Sequence, residues 1–159
     1  MEPQDDVQVF LERVGNGYRL LRFESLDGVI LPLLRSILGD SGGEEREEVS
    51  LLSLTISSDE ISLIIDEERY VKHYAELRGS GAIVGTTGVY TVLRVETSIP
   101  GLSETGILSR VTKVFAEYDI PVFCLSTFLV NYIFIPSEDE GKLERLVIET
   151  IEFTLEPLR

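Results

Sequence analysis

The chain has 159 residues, 43% of them hydrophobic, and a formal net charge of −14. This length suits one large domain or two very small ones, and no apolar run approaches the roughly 18 consecutive residues of a membrane-spanning helix. The acidic excess disfavours duplex nucleic acid and anionic membrane surfaces as partners, because both are bound through a basic face. An acidic face that docks on a basic partner is the alternative that the charge leaves open.

The N-terminus and the cysteine content indicate the compartment. Residues 1–6 are acidic and polar, unlike the apolar segment of a secretory signal. Cys124 is the only cysteine, so no internal disulfide can form, and we predict a reducing, cytoplasmic location. Because Cys124 lies in an apolar run, we expect a small buried hydrophobic residue and not a catalytic thiol.

The first half of the chain alternates between strand-like and helical patterns. In chain order it predicts two strand halves within 7–23 around Gly15-Asn16-Gly17, a helix over 29–38, strands over 49–56 and 61–65, and a weak helix over 71–77.

Glycine then dominates residues 79–88. A phosphate-binding loop would need a strand before it, a helix after it and a Lys-Ser/Thr end. This segment has no lysine and is followed by a strand-like pattern, so we interpret it as a flexible linker.

The second half repeats the order of the first. It predicts a strand over 90–97, a loop over 100–106, a helix over 107–118, strands over 122–128 and 130–135, a helix capped by Ser137 and a last strand around Leu155. The strands over 122–135 are almost wholly apolar, which is typical of strands covered on both faces. Both halves therefore fit a split βαβ arrangement, and we predict an α+β fold of two ferredoxin-like (βαββαβ) modules over 1–78 and 89–159, joined by the linker 79–88.

No group of residues indicates catalysis. Asp66-Glu67-Glu68 offers oxygen ligands to a hard cation, but adjacent acids at a strand end are more typical of a solvated terminus. His73 lies in a polar segment without the companions of a catalytic triad, and we expect it at the surface. We predict no enzyme activity, no metal and no cofactor.

The loop from Pro100 to Gly106 is the strongest functional candidate. Free backbone N–H groups and the positive end of the helix dipole at such a loop attract small anions and zwitterions. Gly101 and Gly106 permit close approach of the backbone to a ligand, Ser103 adds a hydroxyl, and Glu104 could pair with an ammonium group. The alternative is an ordinary connection between a strand and a helix.

These residues resemble those of a known family. The second half of the chain resembles an ACT domain. The resemblance lies in three segments: Ile99-Pro100-Gly101-…-Glu104-…-Gly106-Ile107, Ile120-Pro121-Val122 and Leu125-Ser126-Thr127-Phe128-…-Asn131-Tyr132. More narrowly, the chain resembles the CASTOR-type amino-acid sensors, since Leu52-Ser53-Leu54-Thr55 and Ile61–Glu68 are close to their "SLT…LMVDEE" segment.

The resemblance implies a regulatory protein of nutrient sensing. It implies two ACT modules in tandem, equal to one half of a four-module sensor, so that a homodimer would rebuild the whole. It also implies a free amino acid at an ACT–ACT interface and a regulated protein partner. The positions that match the family's ligand site are Gly101, Leu102, Ser103, Glu104, Gly106, Pro121, Val122, Phe128 and Asn131.

Two of these positions depart from the family pattern. Pro121 stands in place of a serine, which removes a hydroxyl and an N–H donor. Asn131 stands in place of the aspartate that pairs with a guanidinium in the arginine sensors, and a neutral amide cannot supply that charge. A neutral amino acid is therefore at least as good a candidate as arginine. The alternative function is a protein-interaction or dimerisation module of the same fold without a ligand.

Overall fold

The computed structural model describes residues 7–25, 30–38, 51–79, 82–97, 106–143 and 154–155. The chain forms two compact units. Gly15–Val89 forms the inserted unit, and Met1–Val14 together with Tyr90–Arg159 forms the outer unit. This division differs from modules over 1–78 and 89–159, because the first residues of the chain join the C-terminal part.

Strand β1 is continuous from Val7 to Phe23, so the two strand halves predicted around a turn are wrong. Gly15 and Gly17 adopt φ values of 58° and 128°, which only glycine reaches without strain. They bend the strand without reversing it, since its start pairs with Leu155 and its end pairs with residues 61–66. A Cβ atom on Gly15 would lie 3.1 Å from the Tyr18 hydroxyl, so the side chain of Tyr18 closes over this bend.

The inserted unit is an antiparallel sheet with helices between its strands. After β1 it contains α1 (Ile30–Leu38), β2 (Ser53–Ile56), β3 (Ile61–Asp66), α2 (Glu67–Gly79) and β4 (Ile83–Thr86). Its strand order is β2-β3-β1-β4. The core consists of buried apolar residues from both strands and helices: Leu21, Phe23, Ile30, Leu33, Leu63, Ile65 and Tyr70.

Three local predictions in this unit are corrected. Asp66 is not followed by a solvated terminus; its side chain accepts a 2.9 Å hydrogen bond from the Arg69 N–H, as a helix cap does, and Glu67 and Glu68 form the first turn of α2. Residues 79–88, taken as a linker, contain β4, which pairs with β1. His73 on α2 is buried and not at the surface.

The outer unit continues the chain with further antiparallel strand pairs. It contains β5 (Tyr90–Thr97), α3 (Ile107–Glu117), β6 (Phe123–Ser126), β7 (Asn131–Pro136), a 3₁₀ turn (Ser137–Asp139) and β8 (Thr154–Leu155). The strand order is β1-β5-β7-β6, and β8 pairs with β1. One face is covered by α3, and its buried residues are Val9, Leu93, Val95, Ile107, Val111, Phe115, Ile120, Ile133, Ile135 and Leu143.

The same strand pairing recurs in both units, with the first strand 72 positions later and the central strand 70 positions later in the outer unit. Tyr18 pairs with Asp66 in the inserted unit, and Tyr90 pairs with Pro136 in the outer unit. The hairpins correspond as well, because the pair Ile56–Ile61 recurs as Ser126–Asn131, each residue 70 positions later. The fold is thus a mixed α/β architecture with antiparallel strand pairs, in which the pairing of three strands is repeated: β1, β2 and β3 correspond to β5, β6 and β7.

Arg19 on β1 contacts helix α2 and the segment that follows β4 in the inserted unit. Its guanidinium forms a two-point ion pair with Glu67 at the start of α2 and donates a 3.1 Å hydrogen bond to the carbonyl oxygen of Thr87. It also lies over the ring of Tyr70, 4.9 Å from the centroid. In the outer unit, the corresponding residues Thr91 and Ser137 share one hydroxyl hydrogen bond of 3.3 Å instead.

We expect Arg19→Met to lower the free energy of unfolding by about 1–3 kcal/mol, because it removes partly buried, charge-assisted hydrogen bonds. Arg22→Met on the exposed side of the same strand is the matched control and should cost no more than about 0.5 kcal/mol. Urea denaturation followed by circular dichroism measures both. Equal losses in the two variants would contradict the role of Arg19.

Candidate ligand site at the start of helix α3

Helix α3 begins at a glycine in a left-handed conformation. Gly106 has φ 90° and ψ 1°, and its carbonyl oxygen accepts a 3.0 Å hydrogen bond from the Arg110 N–H. The first N–H groups of an α-helix have no partner within the helix, and Gly106 has no side chain to accept from them. This helix start can therefore bind an anionic group.

The rest of the predicted loop cannot be placed. Gly101, Leu102, Ser103 and Glu104 lie outside the described residues. Their assignment to a ligand stays a prediction.

The direction of α3 divides the other predicted site residues into two groups. Strands β5 and β6 both pair antiparallel to β7, so they run parallel to each other. Helix α3 connects them and must begin where β5 ends and finish where β6 begins. Its eleven residues span about 16 Å, which is more than a free amino acid can bridge.

Gly106, Phe128 and Asn131 lie at the end of the sheet where α3 begins. Asn131 starts β7 and pairs with Val95, close to the end of β5. Alternation along β7 puts Asn131 on the same face as Ile133, which is the face that α3 covers. One chain thus brings Asn131 and the start of α3 to the same end of the unit.

Pro121 and Val122 lie at the opposite end, between the last turn of α3 and β6. Pro121 is exposed, and Val122 packs partly against the core. The Ile120 N–H donates a 3.0 Å hydrogen bond to the Phe115 carbonyl oxygen, which anchors this segment to the helix end. A single chain therefore does not bring Pro121 and Val122 to Gly106 and Asn131.

Phe128 lies in the tight turn between β6 and β7. Its side chain is 83% exposed, and that of Leu129 beside it is 75% exposed. Sequence reasoning missed Leu129, although two adjacent large apolar residues in a turn are an available signal. Phe128 can serve as an apolar wall only when another surface covers it.

The turn is held by Thr127 and does not depend on its two apolar residues. The Thr127 hydroxyl donates to the Val130 carbonyl oxygen at 2.9 Å and accepts from the Val130 N–H at 3.2 Å. In the inserted unit, Ser57 makes the same two bonds with Glu60, around the polar pair Ser58-Asp59.

Cys124 is exposed, so its predicted burial is wrong. It lies on β6, the last strand of the order, where one side of the strand has no neighbour among the described strands. Partial desolvation raises the pKa of the thiol. Since the thiolate is the reactive form, this shift makes Cys124 a weaker nucleophile at neutral pH.

Two further findings concern the described residues only. No three His, Cys, Asp or Glu side chains converge there in a way that could hold a metal ion. None of the helices in the described ranges has both the length and the apolar character needed to cross a membrane.

The chain is similar to several solved structures, although no protein-family model matches it. The regulatory subunit of aspartate kinase from Thermus thermophilus has a TM-score of 0.54 and 14% identity over 94% of this chain and 97% of that chain. Aspartate kinase from Clostridium acetobutylicum also has a TM-score of 0.54, with 12% identity over 89% of this chain, which spans only 33% of the enzyme. A Vibrio cholerae protein of unknown function, described as a possible transport protein, has a TM-score of 0.57 and 11% identity over 87% of both chains. At these identities the similarity shows the fold alone, and the fold is of the ACT type.

We expect Thr127→Ala to lower the free energy of unfolding by about 1 kcal/mol, because it removes both side-chain bonds that close the turn. Thr127→Ser is the matched control, since Ser57 closes the corresponding turn with the same hydroxyl chemistry. Denaturant unfolding curves measure the difference. Equal stability of the Ala and Ser variants would refute the capping role.

Proposed function

We propose that this chain is a non-catalytic regulatory module that binds a free amino acid between two copies of itself. The observation that carries the proposal is the start of α3 at the left-handed Gly106, at the same end of the unit as Asn131, in a fold shared with the regulatory subunit of an aspartate kinase. The amino-acid class comes from the motif resemblance of the residues around this helix start.

The proposal includes the assignment of each unit to a module type. The order β2-β3-β1-β4, with a helix after the first and third strands, is that of a split βαβ unit. We propose that both units are ferredoxin-like ACT modules in tandem. Their boundaries would follow the two compact units, with β1 contributing to each.

The proposed recognition uses three kinds of contact. The N–H groups at the start of α3 would bind the carboxylate, as helix N-termini do. Glu104 would bind the ammonium group through a charge-assisted hydrogen bond. Phe128 and Asn131 would contact the side chain, and a neutral amide at position 131 favours a neutral amino acid over arginine.

The remaining two positions would come from the second copy. Pro121 and Val122 lie about one helix length away from Gly106 within one chain, so they can complete the site only from another molecule. Binding would then favour the paired state and could shift the affinity for a protein partner, as differential binding to two states requires.

A thermal-shift screen over the twenty amino acids tests this proposal. An amino acid present at 100 times its Kd should stabilise the folded state by about 2.7 kcal/mol, because it binds only that state. We expect Glu104→Gln to abolish the shift without lowering the melting temperature of the free protein. Glu138→Gln, an exposed acid of the same unit, is the matched control and should retain the shift.

The screen also separates the two candidate functions. If no amino acid raises the melting temperature of a well-folded sample, amino-acid binding is refuted, and the same fold would act as a dimerisation module. If the shift survives in Glu104→Gln, the ammonium contact is assigned to the wrong residue.

A further inference from the structure

We propose that the edge strand β2 of the inserted unit binds an extended, basic segment of a different protein as an additional strand of its sheet. Such strand addition uses the backbone groups that an edge strand leaves unpaired, and side chains set the choice of partner. The inference goes beyond amino-acid binding and does not depend on it, because β2 contains none of the residues assigned to the ligand. It gives the partner a defined chemistry, a short uncharged strand flanked by lysine or arginine.

The backbone of β2 directs alternate residues away from its sheet. The Ser57 N–H donates to the Glu60 carbonyl oxygen at 2.9 Å, across the turn toward β3. Because backbone direction alternates along a strand, Thr55 also directs its N–H and C=O groups toward β3. Those of Leu54 and Ile56 therefore face outward, where none of the described strands pairs with β2. Each of these residues offers one donor and one acceptor to an added strand.

A large apolar side chain is exposed beside these backbone groups. Leu54 pairs with the core residue Leu63, so Leu54 and Ile56 lie on the face that the helices cover. Leu54 packs partly against the core, whereas the side chain of Ile56 is 56% exposed. The corresponding residue of β6 is Ser126, so the hairpin itself does not require an apolar residue there. A strand paired with β2 would cover Ile56 with one of its own side chains.

Acidic side chains lie at both ends of β2. Residues 51–68 contain five acids and no lysine, arginine or histidine. Asp59 and Glu60 are exposed in the turn where β2 ends. Glu68 is exposed in the first turn of α2, at the end of the sheet where β2 begins, because β3 runs antiparallel to β2 and leads into that helix. Since β2 itself is uncharged, these acids flank the two ends of any strand added to it.

The charges that remain unpaired indicate a basic partner. Asp66 and Glu67 already form ion pairs within the unit. No ion pair between described residues involves Asp59, Glu60 or Glu68. A segment with a cation on each side of a short uncharged strand would be attracted at both ends of β2, whereas an acidic segment would be repelled at both.

The same charges disfavour a second copy of this chain at this edge. In an antiparallel contact across a two-fold axis, the turn at the end of one β2 would lie beside the start of the other. Asp59 and Glu60 would then approach Glu68 of the other copy, and each chain carries a net charge of −14. Charges at a strand edge commonly prevent self-pairing in this way. Repulsion at both ends therefore favours a foreign basic segment.

A synthetic peptide tests the backbone contact in the full-length chain. The probe is RKVTVTVKR, and hydrogen exchange of single amides is followed by NMR. With the probe at ten times its Kd, exchange of the Leu54 and Ile56 amides should slow by about tenfold. The amides of Cys124 and Ser126, at the corresponding positions of β6, should not change.

The control peptide RKVPPTVKR has the same charge, but its prolines cannot extend a strand ladder. It should protect neither Leu54 nor Ile56. Equal protection by both peptides, or protection of Cys124 and Ser126 in place of the β2 amides, would overturn the proposal.

A proline in each edge strand provides a matched pair of variants. Ile56→Pro removes an outward-facing N–H, which an edge strand tolerates, and should abolish binding of the fluorescein-labelled probe in anisotropy titrations. Ser126→Pro makes the same change at the corresponding position of β6 and should retain binding. Circular dichroism verifies that both variants fold, and equal affinities of the two for the probe would refute binding along β2.

Neutral substitutions test the contribution of the acids. Asp59→Asn with Glu60→Gln should weaken probe binding by about fivefold at low salt, because exposed ion pairs are individually weak, and high salt should remove the difference. Glu117→Gln with Glu138→Gln removes the same charge from exposed positions of the outer unit and should change the affinity by less than about twofold. An equal loss in both double variants would show that net charge alone attracts the probe, which contradicts the proposal.

Two further outcomes separate this inference from its rivals. Protection of the Leu54 and Ile56 amides that grows with protein concentration, without any peptide, would identify a second copy at this edge and overturn the proposal. An amino acid that raises the melting temperature while the probe leaves β2 unprotected refutes this inference and leaves the proposed function intact. Probe binding along β2 without any response to amino acids supports this inference and refutes the proposed function.

Discussion

Three consecutive buried residues in strand β7 determine the organisation of the outer unit. Ile133 and Ile135 pack beneath α3, while Phe134 between them points to the opposite face and contacts the rings of Phe123 and Tyr90. This strand lies between β5 and β6 and is buried on both faces, and a shift of one residue would exchange its two apolar faces. The pairing of β5 and β6 on either side of β7 follows from this, and so does the direction of α3.

The inserted unit has a corresponding central strand, β3, with different polar contacts around it. Leu63, Ile64 and Ile65 of β3 are buried as the corresponding residues of β7 are. In each unit a side-chain contact connects the first strand to the segment that follows the central strand. This contact is the ion pair of Arg19 with Glu67 in the inserted unit and the hydrogen bond between Thr91 and Ser137 in the outer unit. The repeated part is therefore the apolar frame, and the polar contacts around it differ, since an ion pair in the inserted unit corresponds to a pair of hydroxyls in the outer unit.

The order of strands and helices follows from local patterns, but their relation to neighbouring strands does not. Helix α1 and the hairpins are confirmed because their apolar spacing is local. Glycine content predicts a break at Gly15 and over residues 79–88, because composition does not distinguish a bend inside a paired strand from a turn. The prediction that Cys124 is buried is wrong because an apolar sequence pattern does not distinguish an edge strand from a central strand of a sheet. In the candidate site, the sequence predicted the helix start at Gly106, but the distance to Pro121 depends on the direction of α3, which only the strand pairing reveals.

That distance decides what kind of regulator the proposed arrangement can be. A site that one chain contained would bind its ligand at any protein concentration. In the proposed arrangement the site is divided between two copies and is assembled only when they associate, so ligand binding and association would strengthen each other by the same free energy. Because the chain carries a net charge of −14, repulsion between two copies would oppose association of the free protein, and ligand binding would shift that equilibrium toward the dimer.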